Sequence, residues 1–146
     1  MSDTLAQRAT VKGGFLWPVR VYYEDTDAAG IVYHANYLRF MERARTEWLR
    51  ALGFEQDALA REHGVVFVIT ASTLAFKRAA RFNDELVVRS TLEALRGASL
   101  DFAQTISDQL GNTLCTARNV VACVTRVSLQ PRRIPAFMME IFKGGD

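Results

Sequence analysis

The stretch 22–48 concentrates the residues that can do chemistry. Glu24, Asp25 and Asp27 fall within four positions, and Gly30, Tyr33, His34 and Asn36 follow before the longest helical pattern of the chain. A carboxylate there can attack a carbonyl or deprotonate water, and an imidazole changes charge near neutrality. A helix start adds unpaired N–H donors at the positive end of its dipole. The expected carbonyl-polarising donors are the amides of Gly30, Ile31, Val32 and Tyr33. Taken singly, each residue has a plainer use: aspartates in a strand-to-helix turn usually cap or form turns, and a first-turn histidine usually caps or faces solvent. Their joint spacing favours an acid/base site built on Asp25 or Asp27 with His34, and leaves Glu24 as a solvated strand-end charge.

The elements that must position this set follow from periodicity. A first strand is predicted over 16–23, with Pro18 near its start, and the segment 24–30 breaks it. A long helix is predicted from 34–36, capped by Asn36, because Tyr37, Met41, Ala44, Trp48 and Leu52 recur at helical spacing. Leu38, Phe40 and Leu49 widen that face, so the helix is expected to be central and wrapped by other structure. Arg39, Glu42, Arg43, Arg45, Glu47 and Arg50 take the opposite side, and Gly53 stops it. A short second helix over 55–63 precedes strands over 65–76 and 85–96, a run carrying Leu100, Phe102 and Ile106, and a last strand over 114–128. Turn signals lie at Asn83-Asp84, Gly97 and Gly111-Asn112, and a closing helix is predicted over 137–142.

One strand, one long helix and four further strands make an α+β domain, an antiparallel sheet of about five strands curled around a single helix. One helix covers one face of such a sheet. The other face, expected to carry Cys115, Ala117, Val121, Cys123 and Val127, calls for a partner, so at least a homodimer is predicted.

The 146 residues make one domain over 15–146 behind a flexible leader over 1–14 that ends in Gly13-Gly14. With 49% hydrophobic and 23% charged residues the chain reads as globular, and a net charge of +2 is too small to imply nucleic-acid binding. No signal peptide and no membrane span are visible, so a cytoplasmic location is expected. Two histidines and two cysteines at no ligand spacing argue against a metal site, and Cys115 and Cys123, eight apart in one strand, cannot bridge each other.

On Asp25-Thr-Asp27-Ala-Ala-Gly30-Ile-Val-Tyr33-His34-Ala-Asn36-Tyr37 the chain resembles the hotdog-fold thioesterases of the 4-hydroxybenzoyl-CoA type, and among them the acyl-CoA thioesterases associated with the Tol-Pal envelope system. The likeness spans roughly 17–142, with a weaker match at Arg81-Phe82-Asn83-Asp84. It implies the hotdog fold, hydrolysis of acyl-CoA thioesters without metal or organic cofactor, Asp27 as the catalytic carboxylate, and His34, Tyr33 and Asn36 in the site. It also implies a homodimer or homotetramer. Ala29 departs from the pattern, since many members of this subgroup carry a second glycine there. If that position needed a positive φ, the turn would be reshaped.

Lys77, Arg78 and Arg81, with Arg126, Arg132 and Arg133 farther on, are candidates to hold the phosphates of coenzyme A, although strand-end cations commonly protect sheet edges. Trp48, Phe40 and Met41 are core residues or the lining of an acyl pocket, and His63 is a cation near a helix end. Two readings from different classes follow: a thioesterase acting on acyl-CoA or acyl-carrier-protein thioesters, with Asp27 as nucleophile or general base, and a non-catalytic module that binds an acyl chain or an acyl carrier protein. A hotdog dehydratase ranks third, for want of its motif.

Overall fold

The computed structural model describes residues 14–144. Strand β1 (Phe15–Arg20) leads through a 3-10 turn (Tyr23–Asp25) to helix α1 (Asn36–Ala51). A short helix α2 (Gln56–Ala58) continues as a π turn (Leu59–His63), and four strands follow: β2 (Val65–Phe76), β3 (Glu85–Leu95), β4 (Ser99–Asp108) and β5 (Thr113–Thr125). Helix α3 (Ala136–Phe142) closes the fold. The first strand ends at Arg20 and the last at Thr125, short of the 16–23 and 114–128 predicted, because a 3-10 turn and a loop take those residues. Nearly all of the expected leader lies outside the described residues.

The sheet is antiparallel throughout, in the order β1-β3-β4-β5-β2. Helix α1 lies on one face, burying Tyr37, Phe40, Met41, Ala44, Trp48 and Leu49, the stripe its periodicity prescribes. The Trp48 ring meets Phe102 edge-on at 5.1 Å and stacks on Phe142 at 5.3 Å, so α1, the sheet and α3 share one apolar cluster.

The face expected to stand bare is the face beneath α1. Cys115, Val121 and Cys123 are buried in the core, and Val127 lies beyond the strand in a turn, 94% exposed. Alternation was read correctly, but its sign was reversed: β5 is an inner strand whose odd-numbered residues point at the helix, while Thr116, Arg118, Val120 and Ala122 point away. Among the described residues the open sheet ends on two outer strands, β1 and β2, of which β2 is the longer, 12 residues with a bulge between Ile69 and Ala71.

A row of buried polar side chains crosses the sheet under α1. The Gln104 amide donates to the Met41 carbonyl (3.0 Å) and to Ser90 Oγ (2.8 Å), and its oxygen accepts from Asn119 (2.8 Å) and Arg45 (2.9 Å). Ser72 on β2 donates to Asn119 Oδ1 at 2.7 Å. Among the described residues no buried side-chain nitrogen or oxygen lacks a partner. Burial lowers the Arg45 guanidinium to about 10, opposed by Glu42 one turn away.

Two predictions follow from this core. Replacing Gln104 by Leu removes the hydrogen-bond partner of Ser90 and Arg45 and the amide acceptor of Asn119, so equilibrium urea unfolding of that variant should show a loss of about 1–3 kcal/mol or more. Burial pushes the Cys115 thiol up to about 11 and raises Cys123 as well. A disulfide-exchange reagent at neutral pH should therefore titrate neither thiol in the native protein and both after unfolding.

Candidate active site

Asp25 and Asp27, two residues apart, have opposite fates. Asp25 is buried, and its carboxylate accepts from the Tyr22 amide and from the Asn36 side-chain amide, both at 2.8 Å. Its carbonyl accepts from Tyr33 N–H at 2.9 Å. Asp25 thus clamps the strand exit to the first turn of α1. Asp27 is exposed on the loop so held. One of its oxygens accepts from Ala29 N–H at 2.8 Å, an Asx turn, and the other makes no hydrogen bond among the described residues.

The loop itself is closed by its main chain. Asp27 N–H donates to the Ile31 carbonyl and Gly30 N–H to the Asp27 carbonyl, both at 2.9 Å, and Val32 N–H donates to Ala80 at 2.8 Å. Gly30 sits at φ +78°, where a side chain is strained. Ala29 does not have a positive φ, so the missing second glycine leaves the turn unaltered. Tyr37 anchors the far side: its hydroxyl accepts from Ala80 N–H at 3.1 Å, and burial raises its pKa.

Two expectations are corrected. Of the four amides taken as free donors, those of Gly30, Val32 and Tyr33 are bonded within the chain; Ile31, His34 and Ala35 keep N–H groups without a hydrogen bond among the described residues. Asn36 is no cap: it is the first residue of α1, Ala35 holds the cap position, and the Asn36 side chain is buried on Asp25.

His34 is exposed, its ring 4.6 Å from Tyr33 and 6.2 Å from Phe76. With Ile31, Tyr37, Phe76, Lys77 and Arg78 it lines a groove of about 280 Å³ between the foot of α1 and the end of β2. Phe76 and Tyr37 went unremarked as site residues; an aromatic ending the strand just before Lys77-Arg78 was the available signal. Arg81 is outside the groove, its backbone paired with Ile31 and its N–H on Asp84. Arg126 and Arg132 belong to the other end of β2, bonded to Gly64 and His63, so within one chain the six cations form no single cluster. No group of side chains able to hold a metal ion occurs among the described residues.

Residues 21–142 match the thioesterase-like superfamily. The chain belongs to that superfamily. It is 45% identical over 129 residues to an acyl-CoA thioester hydrolase, YbgC, of Escherichia coli O6:H1, covering 88% of this chain and 96% of the relative. To the acyl-CoA thioesterase YbgC of Haemophilus influenzae it is 44% identical over 124 residues, 84% of this chain and 89% of that one. Among solved structures, a probable thioesterase from Bartonella henselae aligns with a TM-score of 0.80 at 35% identity, over 84% of this chain and 99% of that one. The α+β hotdog architecture expected of the thioesterase-like chain is the one observed.

The Asp25–Asn36 bond carries the local geometry of this superfamily member. Asn36→Ala leaves a buried carboxylate oxygen unpaired, which should cost about 1–3 kcal/mol in urea unfolding. Hydrogen exchange should speed selectively at the Tyr22 and Tyr33 amides, which bond to Asp25.

Proposed function

We propose that the chain hydrolyses acyl-CoA thioesters to a free acid and coenzyme A, with Asp27 as the reacting carboxylate. The supporting observation is the contrast within the loop: Asp25 and Asn36 are consumed in holding it, while Asp27 is exposed with one oxygen free of hydrogen bonds among the described residues, and Ile31 and Val32 of the same loop line an apolar groove together with Lys77 and Arg78. An apolar groove suits an acyl group, and cations at its rim suit phosphates.

The chemistry balances in either of two ways. Asp27 attacks the thioester carbon, the C–S bond breaks, coenzyme A thiolate departs, and water then hydrolyses the mixed anhydride. Alternatively Asp27 takes a proton from a water that attacks the same carbon. In both, negative charge develops on the thioester oxygen, and we assign the unpaired N–H groups of His34 and Ala35 at the foot of α1 as its donors. The His34 side chain lies on the same wall and can protonate the leaving sulfur.

Acyl-carrier-protein thioesters present the same bond and are the second donor class for this site. The reading places the reaction in the cytoplasm, where acyl-CoA is found, and treats the enzyme as a homo-oligomer. No described helix is long and apolar enough to cross a membrane.

Thiol release from short, long and aromatic acyl-CoAs tests the proposal. The wild type should hydrolyse at least one of them, and Asp27→Asn should lose on the order of a hundredfold or more in kcat while melting at the same temperature. Full activity in Asp27→Asn would remove Asp27 from the mechanism. Binding of acyl-CoA without turnover by either protein would favour the acyl-binding module instead.

A further inference from the structure

The Tyr37 side chain has a hydrogen-bonding capacity that the fold leaves unused. The residue is 3% exposed, and its hydroxyl oxygen accepts from Ala80 N–H at 3.1 Å. Among the described residues nothing accepts the hydroxyl's own proton. A phenol is donor as well as acceptor, and a buried donor without a partner is costly. Asp25, Asn36, Gln104 and Asn119, also buried, spend their bonds within the chain.

The position of Tyr37 says where that donor can act. Its side chain lines the groove together with His34 and Phe76. Helical side chains lean toward the N-terminus of their helix, so Tyr37, three residues after His34, reaches back over the turn whose N–H groups are unbonded. Ala80, which holds the hydroxyl by its N–H, also accepts Val32 N–H at 2.8 Å and so ties Tyr37 to the Asp27 loop. Phe40 meets the Tyr37 ring edge-on at 6.2 Å and Phe76 lies against it at 5.8 Å. Gln104 grips the Met41 carbonyl one turn farther on, so the sheet sets the height of the hydroxyl. Burial, opposed by the Ala80 bond, raises its pKa, and the phenol keeps its proton well past neutrality. A fixed, desolvated donor of this kind suits a charge that develops only during reaction.

Whatever occupies the groove must supply the acceptor. An apolar acyl chain brings none, and a thioester sulfur is a weak one. The thioester carbonyl oxygen is a strong acceptor, and it gains charge as its carbon is attacked. Resting on the thioesterase reading, we infer that Tyr37 donates its O–H to the thioester carbonyl oxygen, beside the N–H groups of His34 and Ala35. The proton stays on the phenol throughout. Its hydrogen bond tightens as the oxygen becomes anionic and relaxes when the carbonyl re-forms and the C–S bond breaks.

Two unreactive analogues separate this role from a structural one. A ketone analogue of an acyl-CoA, with a methylene in place of the sulfur, keeps the carbonyl; an S-alkyl-CoA lacks it and keeps the rest. Tyr37→Phe should bind the ketone several-fold to about tenfold more weakly and the S-alkyl-CoA as the wild type does. The infrared stretch of the carbon-13-labelled ketone should rise in frequency in the variant complex. In turnover, kcat should fall on the order of a hundredfold and carry most of the loss, with KM little changed. Tyr37→3-fluorotyrosine, a more acidic phenol that retains the Ala80 bond, should lower the stretch below its wild-type value. A stretch unmoved in both variants, equal weakening of both analogues, or a ketone that the wild type does not bind would overturn the assignment. A wild type that binds the ketone with a Tyr37-dependent stretch yet hydrolyses no acyl-CoA would strike the thioesterase reading and leave the Tyr37 bond standing. Hydrolysis by the wild type, with Tyr37→Phe equally active and the stretch unmoved, would do the reverse.

Discussion

The side chain of Gln104 fixes where α1 lies. An apolar stripe drives a helix onto a sheet but tolerates sliding and rotation, because dispersion and hydrophobic burial are weakly directional. Gln104 removes that freedom by tying the Met41 carbonyl to β3 through Ser90, to β5 through Asn119 and to the helix again through Arg45. A slip of one residue would leave several buried polar groups unpaired at once. The foot of α1, where His34 and the unbonded amides are found, therefore has a defined height above the end of β2.

The loop between β1 and α1 depends on that placement and adds its own lock. Asp25 and Asn36 are ordinary polar residues in sequence, but burial makes their hydrogen bond costly to lose. Asp27 is held partly by that lock and partly by the turn its own main chain closes. Asp25 and Asn36 hold the loop, and the Asp27 carboxylate, with a single Asx-turn bond from Ala29 N–H, stays exposed to water.

What could be read beforehand was whatever depends on near neighbours along the chain. Tyr37, Met41, Ala44 and Trp48 announced the buried helix face because period 3.6 is local. The strands and their turns were legible for the same reason, and the motif's resemblance added the fold. Misreadings arose wherever a distant partner decides. Whether Cys115 and Cys123 point at α1 depends on which side of the sheet the helix takes. Whether the amides of Val32 and Tyr33 are free depends on Ala80 and on the Asp25 carbonyl. Asn36 has every property of a cap, and only a buried carboxylate eleven residues earlier claims it instead.

The main-chain closure of the loop around Asp27 has a bearing on how such a site can diversify. Its closing hydrogen bonds run between backbone groups of Asp27, Gly30, Ile31, Val32 and Ala80, so beyond Asp25, Asn36, the Asp27 Asx turn and the glycine the loop's path makes little demand on side-chain identity. Ala28, Ala29 and Tyr33 are exposed and contribute no side chain to that closure. They can drift, or be randomised in a library, without moving the carboxylate. Around the carboxylate proposed above to react, new leaving groups or acyl classes can thus be explored, with the scaffold acting as a chassis that accepts exchangeable fittings.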